Sequence, residues 1–206
     1  MTEEEQQEPY RRAMVVVAHA DDAEFGCSGT VVKWVQEGME VVYVIVTDGS
    51  KGIEDRGISS ETLAKMRQQE QRDAGKILGL KDVVFLGYPD AYLQPTLEVR
   101  LDITREIRRH KPDVLITTNP TRQLTGTGYI GHPDHFAAGE AALSAVFPAA
   151  RDHLTFPELL EEGLEPHKVR EVLITGHDKP DKWIDVTDSI DTAVEALLAH
   201  TSQLGQ

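Results

Sequence analysis

The pattern of apolar and polar positions predicts a core of short, buried strands. Glu40–Thr47 is apolar on both of its alternating faces, which is typical of a strand that is covered on two sides in a parallel sheet. Similar short apolar runs recur along the chain. The predicted strands are Ala13–Ala18, Glu40–Thr47, Lys81–Leu86, Val114–Thr118, Glu171–Gly176 and Trp183–Val186.

Between these strands, apolar residues recur with helical spacing. Ser60–Leu78 has the clearest apolar stripe, and Gly79 follows it where a glycine commonly ends a helix. The predicted helices are Thr30–Glu37, Ser60–Leu78, Glu98–His110, Pro133–Val146 and Ser189–His200, with irregular segments at 48–59 and 148–166. Because strands alternate with helices, we expect an α/β fold that is Rossmann-like and doubly wound, with a mainly parallel sheet and helices on both faces.

Composition narrows the class of protein. The chain has 206 residues, a net charge of −14 and a pI near 4.9, so no basic face is available for a nucleic-acid partner. The lone Cys27 excludes an intrachain disulfide framework, and no apolar run reaches the length of a membrane span. We expect a cytoplasmic protein without a membrane partner, in which 1–12 is a polar N-terminal extension and 13–206 a single domain.

Two clusters of ionisable residues follow predicted strands. His19, Asp21 and Asp22 come directly after the first strand, and the second cluster, in the stretch GHPDHF, follows the fourth strand and contains His132, Asp134 and His135. In open α/β sheets, ligands bind beyond the carboxyl ends of the strands, so both clusters are expected at one edge. Two imidazoles, one carboxylate and an open position for water are the usual catalytic zinc arrangement.

Spacing indicates which residues share a metal ion. His19 and Asp22 are three residues apart in a turn, so both side chains can face the same ion, whereas Asp21 is better placed to accept a proton from a bound water. Either His132 or His135 can complete the site. The other imidazole, oriented by Asp134, can then face the substrate.

Ordinary structural roles compete with this interpretation. A lone His-x-x-Asp is most often a turn with a solvated cap, and Asp21 or Asp22 could simply cap the helix that follows. His132 and His135 could equally be polar residues of a helix start. The occurrence of both clusters at strand ends of one sheet is what favours a metal site.

The two clusters also carry a family resemblance. The stretches AHADDAEFGCSGT at 18–30 and GHPDH at 131–135 resemble the motifs of the PIG-L/LmbE-like zinc-dependent N-deacetylase family. Further similar features are VTDG at 46–49, Arg67-x-x-Glu70, and AHTSQ at 199–203. Ala20 replaces the proline that is usual in the first motif. The chain stops at Gln206, whereas relatives commonly continue, so we expect either a short member or a missing C-terminal segment.

The resemblance implies specific roles for the clustered residues. It assigns His19, Asp22 and His135 as ligands of one Zn2+ ion per chain and Asp21 as the general base. His132 becomes the acid or oxyanion stabiliser, with Asp134 orienting it and raising its pKa. The implied reaction is removal of an acetyl group from an N-acylated amino sugar or its conjugate, most readily of the N-acetylglucosamine type. A homo-oligomer, trimer or hexamer, is expected by the same analogy.

Substrate contacts and rival functions are less well specified. Arg56, Arg67 and Tyr129 are candidates for substrate binding, although a surface ion pair is the commoner role for each arginine and a rim position for the tyrosine. The glycine-rich stretch at 126–131 matches a dinucleotide pattern, but it does not directly follow a strand. The rival functions are a non-catalytic α/β binding module and a magnesium-dependent transferase that uses Asp21 and Asp22.

Overall fold

A computed structural model describes residues 8–122 and 130–204 and contains one parallel sheet. The strands are β1 (Arg12–Val17), β2 (Glu40–Thr47), β3 (Asp82–Tyr88), β4 (Val114–Thr118) and β5 (Glu171–Thr175), and their order across the sheet is β3-β2-β1-β4-β5. Every neighbouring pair is parallel. The strand order reverses between β1 and β4, so the carboxyl ends of these two strands border the expected ligand-binding crevice.

Seven α-helices surround this sheet. They are α1 (Asp22–Gly26), α2 (Ser28–Gln36), α3 (Ser60–Leu78), α4 (Leu97–His110), α5 (Pro133–Ser144), α6 (Glu158–Glu161) and α7 (Ile190–Leu198) within the described residues. The core has two layers, one on each face of the sheet. In one layer, α2, α3 and α7 pack against odd-numbered side chains of β1 such as Val15. In the other layer, α4 and α5 pack against even-numbered side chains such as Val16. Helices therefore cover both faces, which confirms the predicted doubly wound α/β fold.

Capping residues explain where the helices begin and end. The Ser59 side chain accepts a hydrogen bond from the Thr62 N–H at the start of α3, and Thr96 does the same for Val99 in α4. Gly79 ends α3 with a φ of 75°, a left-handed conformation in which glycine avoids the cost of a side chain. The predicted bounds of β2, α3 and β4 match the observed ones.

Trp183–Val186 and 148–166 are among the segments that differ from the sequence-based expectation, as is α5, which ends at Ser144 before a π-helical turn at Ala145–Ala149. Trp183–Val186 is not a strand, because the Asp185 carboxylate accepts hydrogen bonds from the main chain and hydroxyl of Thr187 and turns the chain. The predicted irregular segment 148–166 contains the short helix α6. Among residues 8–122 and 130–204, none of the helices has both the length and the apolar composition needed to cross a membrane.

Candidate metal centre and active site

The first cluster follows the carboxyl end of β1 and lies at the crevice between β1 and β4. After Val17 the chain turns, and the Asp22 carboxylate accepts the His19 N–H at 2.8 Å. Asp21 has a φ of 85°, a left-handed conformation that costs a non-glycine residue about 1 kcal/mol or more. It precedes α1, but its side chain makes no capping hydrogen bond. The Asp21 carboxylate is therefore not used by the helix and remains available to a ligand.

The start of α5 delivers the second cluster. His132 occupies the N-cap position and Pro133 the first turn, so the His135 side chain projects one turn into the helix. The Thr118 hydroxyl at the end of β4 donates to the His135 carbonyl at 2.7 Å. This contact holds the start of α5 against the carboxyl end of β4, beside the first cluster.

Three side chains from the two clusters form a tight triangle. His19 Nδ1 lies 3.3 Å from His135 Nε2, His135 Nε2 lies 3.0 Å from Asp22 Oδ1, and His19 Nδ1 lies 3.4 Å from Asp22 Oδ2. Ligand atoms that are about 2.0–2.1 Å from a tetrahedral zinc ion lie about 3.3 Å from one another. The His19–His135 spacing thus fits a zinc ion, and the two Asp22 oxygens, one near each imidazole, complete an N, N, O donor set.

Other potential ligands crowd the same place. Within the described residues, ligand atoms of His19, His132 and His135 lie within 4.8 Å of one another, as do those of a second group, which comprises His19, Asp90, His132 and Asp134. Neither group includes Asp22, although the pair distances place it beside both His19 and His135. Asp22 therefore stands with these two histidines, because it is the carboxylate nearest to His135.

Asp90 is a site residue that the sequence analysis missed. It is buried, its Oδ1 lies 3.1 Å from His19 Nε2, and its Oδ2 accepts the Lys51 N–H at 3.0 Å. Asp90 lies just after β3, at the same edge of the sheet as the other clusters. A single aspartate in the sequence YPDA has no histidine near it, and only its position after a strand could have indicated a role.

Asp134 contacts a different imidazole from the one expected. Its Oδ1 lies 4.0 Å from His132 Nδ1, whereas its Oδ2 lies 3.3 Å from His19 Nε2 and accepts the Ala91 N–H at 2.7 Å. His132 Nδ1 instead accepts the main-chain N–H of Asp134 at 3.3 Å. The carboxylate of this residue therefore orients His19, and its main chain orients His132.

The charges around His19 favour a cation. Burial by itself lowers the pKa of His19, but the three surrounding carboxylates outweigh burial and raise that pKa to about 11. Burial likewise opposes ionisation of Asp22, yet its two histidine neighbours hold its pKa well below the usual range. Negative charge concentrated on one imidazole is the environment in which a metal ion replaces a proton.

The pKa of His132 moves against expectation. Asp134 does favour the charged form of this imidazole, but burial and the neighbouring His19 outweigh that effect and lower the pKa of His132. The expected rise is therefore corrected to a fall. With its Nδ1 accepting a hydrogen bond, the neutral ring carries its proton on Nε2.

Asp21 and the buried Arg67 lie next to each other in the site. Burial raises the pKa of Asp21 to about 6, although the Arg67 guanidinium opposes this rise. Arg67 is only 5% exposed, and its Nη2 lies 3.5 Å from Asp21 Oδ1 and donates to the Ala20 carbonyl at 2.9 Å. The sequence analysis considered a surface ion pair for Arg67. This role is excluded, because the guanidinium is buried beside Asp21.

Two candidates for substrate binding remain, Arg56 and Tyr129, and the described residues place neither of them in the site. Arg56 is exposed in the loop between β2 and α3, and it forms no hydrogen bond or ion pair with any residue that the structure describes. Tyr129 and most of the glycine-rich stretch lie within 123–129, outside the described residues. Their proposed part in substrate binding stays a prediction.

The fold and the site together define a Rossmann-like α/β protein with a cluster of histidines and aspartates at its strand ends, close enough to share one metal ion. The chain belongs to the PIG-L family: the family model, described as GlcNAc-PI de-N-acetylase, matches residues 14–146. This match confirms the resemblance in the sequence motifs.

Individual relatives agree with the family assignment. The chain is 33% identical over 193 residues to diacetylchitobiose deacetylase of Thermococcus kodakarensis, covering 94% of this chain and 70% of the relative. It is 29% identical to a probable N-acetyl-alpha-D-glucosaminyl L-malate deacetylase 2 of Bacillus anthracis, covering 94% and 81%. Among solved structures, N,N'-diacetylchitobiose deacetylase from Pyrococcus horikoshii superposes with a TM-score of 0.88 at 29% identity, covering 96% and 72%.

Proposed function

We propose that this protein is a zinc-dependent hydrolase that removes an N-acetyl group from an amino sugar or an amino-sugar conjugate. The observation that carries the proposal is the triangle of His19, Asp22 and His135 ligand atoms beside the Asp21 carboxylate, which caps no helix and has Arg67 as its ion-pair partner. Metal-assisted amide hydrolysis requires this combination of a metal site with an open position and an adjacent proton acceptor.

His19, Asp22 and His135 would hold one zinc ion per chain. Two imidazoles and a carboxylate suit zinc, whereas magnesium prefers oxygen ligands and a larger number of waters. His132 is left out, because its Nδ1 already accepts a main-chain N–H and a fourth protein ligand would close the site to water. When bound, the ion would act as a Lewis acid and lower the pKa of its water to about 7.

Asp21 would accept a proton from the attacking water. Its pKa of about 6 leaves it largely ionised at neutral pH and still basic enough to accept a proton. As the water oxygen bonds to the amide carbon and the C–N bond breaks, Asp21 would pass this proton to the amine nitrogen. The second water proton stays on the new carboxyl group, so the products are the free amine and acetic acid, which ionises to acetate at neutral pH.

His132 would stabilise the oxyanion. A neutral ring with its proton on Nε2 donates a hydrogen bond to the carbonyl oxygen, and removal of one such donor typically costs about 10²–10³ in kcat. Asp134 would act through its contact with His19 Nε2, as the carboxylate partner that fixes the tautomer of a metal-bound imidazole.

The substrate assignment is supported by the named relatives. Both curated relatives described above are named as deacetylases of N-acetylglucosamine-containing molecules, a disaccharide in one case and a malate conjugate in the other. We infer that the substrate carries an N-acetylglucosamine unit. Arg67 would contribute by offsetting the negative charge of Asp21 and Asp90 rather than by contacting the sugar, since it is buried and its two Nη groups donate to main-chain carbonyls.

Acetate release tests the proposal. Zinc-loaded protein is incubated with a panel that includes diacetylchitobiose, N-acetylglucosamine and N-acetylglucosaminyl malate, and acetate is measured by proton NMR. We expect release from at least one member, and a fall in kcat of about 10²–10⁴ in Asp21→Asn with zinc content unchanged. Asp73→Asn, an exposed aspartate of α3, is the control. Near-full turnover by Asp21→Asn would remove Asp21 from the mechanism, and silence from every panel member would contradict the amino-sugar assignment.

A further inference from the structure

A buried polar cluster lies directly behind Asp21 and is not used by the proposed chemistry. The Asp21 main-chain N–H donates to Gln71 Oε1 at 3.1 Å, and Gln71 Nε2 donates to Glu24 Oε1 at 2.8 Å. His200 Nε2 lies 3.4 Å from Glu24 Oε2. Gln71 and His200 are fully buried, and Glu24 is 5% exposed. Burying three polar side chains is costly unless each has a partner, so the cluster calls for an explanation.

Hydrogen bonds to α3 hold the C-terminal segment, and His200 lies beside the cluster as a result. The Glu70 carboxylate of α3 accepts hydrogen bonds from the Thr201 hydroxyl at 2.9 Å, the Ser202 N–H at 2.8 Å and the Ser202 hydroxyl at 2.7 Å. Glu70 and Gln71 are adjacent in α3, so the same helix holds the chain after α7 and presents its amide to Asp21. These contacts account for the polar residues at 199–203 that the metal site leaves unused.

The order of the contacts fixes the orientation of the Gln71 amide. A carboxylate accepts hydrogen bonds and does not donate them, so Glu24 selects the rotamer in which Gln71 Nε2 faces it. The amide oxygen must then face the Asp21 N–H. If the amide were reversed, its NH2 group would meet that N–H and the contact would be lost. The second Glu24 oxygen lies 3.4 Å from His200 Nε2, but neither atom has a hydrogen-bond partner among the described residues.

The residue held by this cluster has an unusual backbone geometry. Asp21 has a φ of 85° and a ψ of −26°, and its side chain makes no capping bond that could stabilise the turn. A residue in such a conformation persists only when its surroundings impose it. The Asp21 N–H bond to Gln71 is a contact of this kind, because it fixes the peptide plane that precedes the Asp21 α-carbon.

We propose that Gln71 and Glu24 are positioning residues that hold Asp21 in its left-handed conformation and thereby aim its carboxylate at the reacting water. This inference rests on the proposed function, since the direction of the Asp21 carboxylate matters for catalysis only if that group moves a proton. Both residues would act through the main chain of Asp21 rather than on the substrate.

Gln71→Met tests the proposal because methionine has nearly the same length and no amide. With the best panel substrate, we expect kcat to fall about 10- to 100-fold, KM to change less than about threefold, and zinc content to stay at the wild-type level. Gln69→Met, the same change on the exposed face of α3, is the matched control and should retain wild-type kcat. Should Gln71→Met fail to fold, the shorter amide of Gln71→Asn provides the same test.

A double variant separates positioning from a loss of packing. Glu24→Gln combined with Gln71→Glu exchanges the amide and the carboxylate, so an acceptor for the Asp21 N–H and a hydrogen bond between the two side chains are both retained. We expect the double variant to recover kcat to within about threefold of wild type, while Gln71→Glu alone stays low because two carboxylates then face each other. A double variant as slow as Gln71→Met would overturn the proposal.

A crystal structure of Gln71→Met decides the proposal even if no substrate is found. If the wild-type protein releases no acetate from any panel member, the proposed function is contradicted. The position of Asp21 in the variant structure would still show whether the cluster holds that residue in place. We expect the Asp21 φ to leave the left-handed region or its carboxylate to shift by about 1 Å or more. An unchanged Asp21 in that structure, or an unchanged kcat in Gln71→Met, would refute the positioning role.

Discussion

His132 and His135 lie within one turn of α5, yet they face different neighbours. His135 Nε2 is 3.0 Å from the Asp22 carboxylate and 3.3 Å from His19, which places it among the proposed ligands. His132 Nδ1 accepts a main-chain N–H at the helix start, and its side chain is 38% exposed. The two imidazoles are thus expected to differ in function although they have the same chemistry.

Substitution of each histidine separates metal binding from catalysis. We expect His135→Ala to lose its zinc on dialysis, because only two of the proposed ligands remain. His132→Ala should retain one zinc per chain and lose kcat by about 10²–10³ through the missing oxyanion donor. Zinc content by mass spectrometry and kcat on the same samples check both results. Loss of zinc from His132→Ala would instead make His132 a ligand.

At the scale of elements, the position of α5 depends on one close approach. A Cβ atom at Gly139 would lie 2.3 Å from the Thr118 carbonyl oxygen and 3.2 Å from the Pro120 nitrogen, both of them main-chain atoms. These atoms cannot move aside as a flexible side chain can. Gly139 therefore allows α5 to pack against the end of β4, and α5 carries the histidines into the crevice.

Gly139→Ala should displace α5 from β4 and disturb the site. We expect a loss of stability of about 1–3 kcal/mol from overpacking, and zinc binding weakened about 10-fold or more because His135 moves relative to His19. Urea denaturation and a zinc-chelator competition assay measure the two effects. Gly26→Ala is the control, because its added Cβ would have its nearest contact at 3.7 Å, from the Thr175 hydroxyl oxygen. A wild-type zinc affinity in Gly139→Ala would contradict the prediction, because α5 would then accept the added methyl group without moving His135 away from His19.

At the scale of the whole molecule, a half-buried histidine outside the site joins distant segments of the chain. His167 Nε2 lies 2.7 Å from the Pro112 carbonyl oxygen and its main-chain N–H donates to Ala150, so it joins the segment before β5 to the start of β4. Burial lowers the pKa of His167, because the charged ring would lose its hydration. The folded protein therefore favours the neutral imidazole.

This shift predicts a dependence of stability on pH. The unfolded His167 has a pKa of about 6.5 and the folded one a lower value, so the unfolded chain binds more protons as the pH falls through 6.5. The stability that neutral His167 contributes is present above that pH and is lost on acidification. We expect wild type to lose more free energy of unfolding between pH 7 and pH 5 than His167→Asn. His153→Asn, an exposed histidine, should match wild type, and equal pH slopes in all three proteins would contradict the prediction.

Several site residues were predictable because their signals are local. His19, Asp22, His132 and His135 stand in short motifs at strand ends, and a turn or a helix start places residues three positions apart on one side. The structure brings all four together, as the two clusters at one sheet edge required. Their assignment as ligands remains a proposal that the zinc measurements above will test.

Other parts of the site could not be predicted from local patterns. Asp90 lies 71 positions from His19, and Arg67 lies 46 from Asp21, so their contacts depend on how β3 and α3 pack rather than on their neighbours in sequence. The burial of Arg67 was missed for this reason, since helical periodicity indicates which face is apolar but not what lies beneath it.

The sequence by itself determined the α/β class, the bounds of β2, α3 and β4, and the two clusters, because each depends on backbone geometry and on periodicity over ten to twenty residues. Tertiary structure alone decided that Asp134 contacts His19 rather than His132, and that Gln71, Glu24 and His200 lie behind Asp21. These pairings join residues from different helices and loops, and hydrogen bonds with a range of about 3 Å are set only after the sheet and its helices have packed.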